Sequence, residues 1–113
     1  ESFKNLVLKA KEGDTKLTLK ELTPVRMLNN NFYNEIVQLY QENASKEMLL
    51  NKLGKGRAKK GMFEGDLING ELEIGQASSQ IKKIHSAAQL IAEIMNEFNK
   101  VKKQIAIESK FNF

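Results

Sequence analysis

Phe63-Glu64-Gly65-Asp66-Leu67-Ile68-Asn69-Gly70-Glu71-Leu72-Glu73-Ile74-Gly75-Gln76 is the stretch on which the reading of this 113-residue chain turns. Three glycines, one Asn-Gly dipeptide and four acidic residues fall within it, whereas the segments on either side carry amphipathic helical patterns. Gly65 and Gly75 stand beside Asp66 and Gln76, so two points where the backbone can turn or approach a ligand each have a polar side chain next door. Asn69-Gly70 reads as a turn between 66–68 and 71–73, which predicts a small hairpin there. The alternative is a turn that carries no ligand. Glu64 and Asp66 fit a solvated turn better than a catalytic pair.

Outward from this stretch the chain reads as mainly α, with a short strand or hairpin element. Upstream, Phe3, Leu6, Val7 and Ala10 share one face of a helix predicted over 2–13, with Ser2 as its N-cap. Leu17 and Leu19 alternate with Thr18 and Lys20, the pattern of a half-buried extended segment that ends at Thr23-Pro24. Arg26 follows, as a ligand-binding cation or a structural ion-pair partner. Phe32, Tyr33, Ile36, Val37, Leu39 and Tyr40 form a helical stripe to about 43, with Asn31 as the expected cap. Ser45 caps a further helix that Gly54 ends. Gly54-Lys55-Gly56-Arg57 is read as that helix end, because no strand leads into it and the Lys-Ser/Thr of a phosphate loop is absent.

Downstream, the hydroxyls of Ala77-Ser78-Ser79-Gln80 mark a predicted helix start whose free amides suit an anion or a carbonyl. Ser86-Ala87-Ala88-Gln89 is a capping box for the longest helix, with Leu90, Ile91, Ile94, Met95, Phe98, Val101 and Ile105 on one face. Residues 107–113 are expected to fray.

Composition narrows the function classes. The net charge of +4 and pI near 9.3 come from interspersed Lys and Glu, and the basic runs at 55–60 and 100–103 lack interleaved aromatics, so nucleic-acid binding is not expected. No apolar run is long enough to span a membrane. With no cysteine and one histidine, no thiolate or His-cluster metal site is expected. His85, just before the capping box, is assigned a surface or capping role. No Met opens the sequence, which is expected to begin inside a longer parent; 1–113 is read as a single segment.

Taken in order, Thr23-Pro24-Val25-Arg26, Gly56-Arg57-Ala58-Lys59-Lys60-Gly61, Glu64-Gly65-Asp66 with Asn69-Gly70, and Gly75-Gln76 resemble the C-terminal portion of one family. That family is the nitronate monooxygenase-like FMN oxidoreductases, formerly 2-nitropropane dioxygenases, which include FMN-dependent enoyl-acyl-carrier-protein (enoyl-ACP) reductases. The resemblance covers 2–98 and rests on the order of the motifs. It implies a cytoplasmic flavoprotein parent with a (β/α)8 TIM barrel, FMN at the C-terminal strand ends, and this chain beginning after the last strand. Its phosphate loops and catalytic histidine would lie upstream, so no catalytic residue is assigned here. Gly75 and Gln76 are implied near the flavin, Gln76 as a hydrogen-bond partner of ring or substrate. The implied partners are the rest of the barrel, a nitronate or acyl thioester substrate, NAD(P)H, and a second copy in a homo-oligomer.

The chain departs from the family pattern at Ser78-Ser79-Gln80, where small and apolar residues are usual, and at Glu21-Leu22-Thr23, where a glycine is common. The competing reading is a stand-alone helical interaction or assembly module without catalysis. Under the family reading, the isolated chain is expected to be inactive, to bind FMN poorly and to self-associate through the stripe of its last helix.

Overall fold

The computed structural model describes residues 1–107 and divides the chain into two units, Glu1–Lys82 and Lys83–Phe113. The first unit runs in order through α1 (Ser2–Lys9), β1 (Thr15–Thr18), β2 (Val25–Leu28), α2 (Asn31–Gln41) and α3 (Lys46–Leu53). A π-helical turn (Lys59–Phe63) and a 3-10 turn (Gln76–Gln80) complete it. β1 and β2 form an antiparallel hairpin with Thr15 opposite Leu28 and Thr18 opposite Val25. The chain is thus mainly helical with one hairpin, as its pattern implies, but the hairpin lies at 15–28. Around Asn69-Gly70 the chain makes turns, and only Glu73 pairs with a strand, bridging Met27 of β2.

β2 organises the interior because consecutive residues point to opposite faces. Met27, fully buried, joins Leu19, Phe32, Ile36 and Leu49 under α2 and α3. Leu28 faces the other way and packs with Ala10 and Leu72, flanked by Phe3 and Leu6 of α1. Each fully buried side chain of this size contributes about 1.5 to 3 kcal/mol. Lys52 of α3 also pairs with Glu35 of α2 at 2.7 Å.

Several local expectations shift. α1 ends at Lys9 in place of Gly13, because Ala10 leaves the helix for extended backbone, and its N-cap is Glu1, without a side-chain hydrogen bond, Ser2 being already helical. Leu17 and Leu19 do not share a half-buried face. The strand stops at Thr18, and Leu19 turns to φ 53, which buries it to 1% exposure while Leu17 stays 46% exposed. A left-handed leucine costs about 1 to 2 kcal/mol, which burial of its side chain offsets. The cap of α2 is Asn30, whose side chain accepts from the Tyr33 amide at 3.0 Å, one residue earlier than expected. Ser45 and Gly54 bound α3 as read: Ser45 accepts from the Met48 amide at 3.3 Å, and Gly54 closes the helix at φ 65.

The second unit is described over 83–107 and consists of α4 (Ala87–Ile107) and the residues leading into it. Its capping box forms as expected: the Ser86 amide donates to Gln89 Oε1 at 2.9 Å, and the Gln89 amide donates to Ser86 Oγ at 3.2 Å. No residue of α4 is buried, and all seven stripe residues are exposed, from 37% at Ile105 to 62% at Ile91. The expected fraying concerns a tail that, from 108 onward, lies outside the described residues. Among the described residues no helix is long and apolar enough to cross a membrane.

Candidate functional site

Asp66 builds the turn at the centre of the deciding stretch. Its Oδ1 accepts from the amides of Ile68 at 3.1 Å and Asn69 at 2.8 Å, and its Oδ2 lies 3.0 Å from Lys60 Nζ. The Asn69 amide first, and the Lys60 ammonium after it, hold this carboxyl at a pKa of about 2. Asp66 is therefore a turn-forming carboxylate, and Glu64 pairs with Lys59 at 3.2 Å. Across the turn, Gly70 lies against Gly61 of the π-helical turn. A Cβ on Gly70 would sit 2.2 Å from the Gly61 Cα, and one on Gly61 would sit 2.6 Å from the Glu71 carbonyl oxygen. Two backbones touch here because neither residue has a side chain.

Two polar side chains lock this contact. Arg57 donates from Nε to the Leu53 carbonyl at 2.7 Å, from Nη2 to the Lys52 carbonyl at 2.8 Å and from Nη1 to the Asn69 carbonyl at 2.9 Å. Its guanidinium lies 4.5 Å over the Phe32 ring, within range of cation–π attraction. The fork thus ties the end of α3, whose last carbonyls need donors, to the turn. Asn30 uses Oδ1 to cap α2 and donates from Nδ2 to the carbonyls of Leu67 at 3.1 Å and Gly70 at 2.8 Å. Asn30 carries no expectation from the sequence, and Arg57 enters only as part of the helix end at 54–57 and of the motif at 56–61, with no contact assigned to it. Arg57 looked like part of a solvated basic run, yet it, Lys59 and Lys60 are all engaged locally. The signal that was available is an arginine three residues beyond a helix-ending glycine.

From this clasp the chain runs extended along β2. The Leu28 amide donates to the Leu72 carbonyl and the Ile74 amide donates to the Arg26 carbonyl, each at 3.0 Å. Glu71 is buried to 7% exposure. Burial first, and the neighbouring Glu73 charge second, push its carboxyl up, while Arg57 opposes them. Arg26 is structural, but not through an ion pair: Nη1 donates to the carbonyl and hydroxyl oxygens of Thr15 at 3.0 and 3.3 Å, stitching β2 to β1.

Gly75 and Gln76 emerge at the end of this run, both exposed. Gly75 has an ordinary φ of −76, and a Cβ there would meet nothing within 4 Å. Gln76 opens a 3-10 turn of five residues in place of the longer helix expected at 77–84, too short to gather an anion on its free amides. Gln76, Ala77, Ser79 and Gln80 line a cleft of about 630 Å³ with Glu12, Gly13 and Thr15. Ser78, inside the same turn, is 4% exposed, and its hydroxyl has no hydrogen-bond partner among the described residues.

These residues bear on whether FMN suits the cleft. A flavin ring offers alternating carbonyl and N–H edges, and the Gln76 amide can both accept and donate. Gly75, just before Gln76, leaves open space beside the backbone, whereas the buried Ser78 hydroxyl does not reach the cleft. No lysine or arginine lines the cleft to meet a phosphate. The lining can thus offer amide and hydroxyl groups to the edge of a flavin ring and offers no cation to its phosphate. Among the described residues no cluster of His, Asp or Glu suits a metal ion. His85, which precedes α4, has its Nδ1 3.2 Å from Oε2 of Glu93 in that helix, without the alignment of a hydrogen bond.

No family model matches the chain, and no curated protein sequence does. Two solved structures are similar to it over 93% of its residues at 28% identity. One is FabK from Thermotoga maritima, with a TM-score of 0.77, and the other is a methionine-to-alanine variant of that protein, with a TM-score of 0.71. The chain spans 33% and 30% of the length of those two proteins. The neighbours bear out the resemblance read from the motif order: both lie in the enoyl-reductase branch of the FMN oxidoreductases, a TIM-barrel family.

Proposed function

We propose that this chain is the C-terminal portion of an FMN-dependent oxidoreductase, enoyl-ACP reductase-like or nitronate monooxygenase-like, in which it covers part of the barrel and lines part of the flavin pocket. The observation that carries the reading is the match to FabK along 93% of the chain at 28% identity. When bound, FMN would take up electrons from a reduced nicotinamide or from an oxidisable nitronate and pass them on to the acceptor. This chain's part is to bind and orient. The Gln76 amide hydrogen-bonds the ring edge or the substrate, and Gly75 leaves the backbone free to approach. The clasped turn keeps both at the cleft. The catalytic proton donor and the phosphate site belong to the remainder of the parent.

The experiment is to purify the full-length protein and record its visible spectrum. Oxidised flavin absorption is expected, and a colourless protein that cannot be reconstituted with FMN overturns the reading. NADH-dependent reduction of a crotonyl thioester against turnover of propionate 3-nitronate then separates the two activities, and the FabK neighbours favour the thioester.

A further inference from the structure

The segment 72–74 meets β2 through one bridge, Met27 opposite Glu73, and the two hydrogen bonds to Leu28 and Arg26. So short a pairing does not determine its own register. Leu72 and Ile74 lie on one face, so a slip of two residues would put one apolar side chain where the other now packs. Such a slip would move Gly75-Gln76 by about 7 Å along β2. Something outside the pairing must forbid it.

We infer that Arg57, acting with Asn30, is a positioning residue that sets the register of 72–74 on β2 and thereby the place of Gln76 at the cleft. The contacts close a loop of fixed length. Asn30 stands two residues after β2 and holds the Leu67 and Gly70 carbonyls, so the turn is referenced to the strand that receives 72–74. Arg57 holds Asn69 between those two points, from a guanidinium fixed by α3 and stacked on Phe32. With 67, 69 and 70 pinned and Gly70 pressed on Gly61, only one register of 72–74 is within reach. The planar fork matters because Arg57 reaches its three carbonyls from three separate nitrogens, whereas a lysine carries all its donors on one nitrogen and cannot span the same positions.

The consequence for Gln76 rests on the proposed flavin role, so the test uses the full-length protein with FMN and two kinds of readout. Arg57→Lys and, separately, Asn30→Ala are each expected to speed amide exchange at Leu28 and Ile74 and to raise the FMN dissociation constant by about tenfold. In a Gln76→Ala background the Arg57→Lys effect on FMN affinity is expected to vanish, because both act through one contact. Unchanged exchange at Ile74 in both folded variants overturns the inference and leaves Arg57 as a staple of α3. A full effect persisting without the Gln76 amide overturns it as well. A parent that binds no FMN refutes the flavin reading, while exchange at Leu28 and Ile74 still judges the register pin.

Discussion

The turn at 65–70 and the helix α4 are both plain in the sequence, yet they meet opposite fates. The turn is tied into its own unit by named contacts: its Asp66 takes two amides and a lysine, Asn30 donates to the carbonyls of Leu67 and Gly70, and Arg57 donates to that of Asn69. On α4 seven large apolar side chains form one stripe, and none is buried. The turn is completed by residues of its own unit, near and far in the chain, whereas an amphipathic helix states only that a partner exists. The difference separates what this chain supplies from what it expects.

The largest predicted effect tests the helix. If the parent barrel covers the stripe, Phe98→Ala in the full-length protein should cost about 3 to 5 kcal/mol, read by chemical denaturation. In the isolated chain the same substitution should leave stability nearly unchanged and weaken self-association, read by sedimentation. An equal and small effect in both settings would mean that the stripe stays uncovered in the parent, and the contrast between helix and turn would collapse.

The next effect tests the turn. Gly70→Ala places a methyl 2.2 Å from the Gly61 Cα and 2.5 Å from the Asp66 carbonyl, both backbone and unable to swing aside. Overpacking of this kind costs about 1 to 3 kcal/mol, measured by thermal unfolding. Gly75→Ala is the internal control, since its Cβ meets open space at an ordinary φ, and it should leave stability unchanged. Equal effects at the two glycines would show that the close crossing does not matter.

How much of this was legible follows from the range of each interaction. Ser45, Gly54 and the Ser86-Gln89 box act within one helical turn, and their roles were readable from spacing. The hairpin was misplaced because Asn-Gly at 69–70 is the stronger turn signal, while the six residues between β1 and β2 bend through a left-handed Leu19 that propensity disfavours. Asn30 meets carbonyls 37 and 40 residues along the chain, beyond any local pattern, whereas Arg57 meets carbonyls 4, 5 and 12 residues away and its place three residues beyond the helix-ending Gly54 is the only local sign of that role. For Gly75-Gln76 the family likeness pointed to the stretch, and the structure adds its cleft. The expected helix after it gave way to a single 3-10 turn.

A smaller effect should appear in acid. The folded pKa of Asp66 lies at about 2, below the usual 3.8, because the Asn69 amide and Lys60 favour the carboxylate. A depressed folded pKa gives stability that is present above pH 3.8 and is lost as pH falls toward 2. Asp66→Asn should therefore flatten the stability profile between about pH 4 and 2 and lower stability modestly at neutral pH. A variant whose acid profile matches the unsubstituted protein would remove Asp66 from the architecture of the turn.

The smallest stability effect, and the one that bears most on function, belongs to Gln76. It is exposed at the cleft, and its amide has no partner among the described residues, so Gln76→Ala should change stability by no more than about 0.5 kcal/mol. If the amide meets the flavin or the substrate in the parent, the same change removes a hydrogen bond worth about 0.5 to 1.5 kcal/mol from binding or turnover. The two numbers fall on different measurements, and their split is the test. Unaltered melting with weaker FMN binding or slower turnover assigns Gln76 to the ligand, because its side-chain amide has no partner among the described residues through which the fold could carry the effect. Lower melting with intact kinetics would return Gln76 to the turn, and make the cleft beside it a feature of the fold alone.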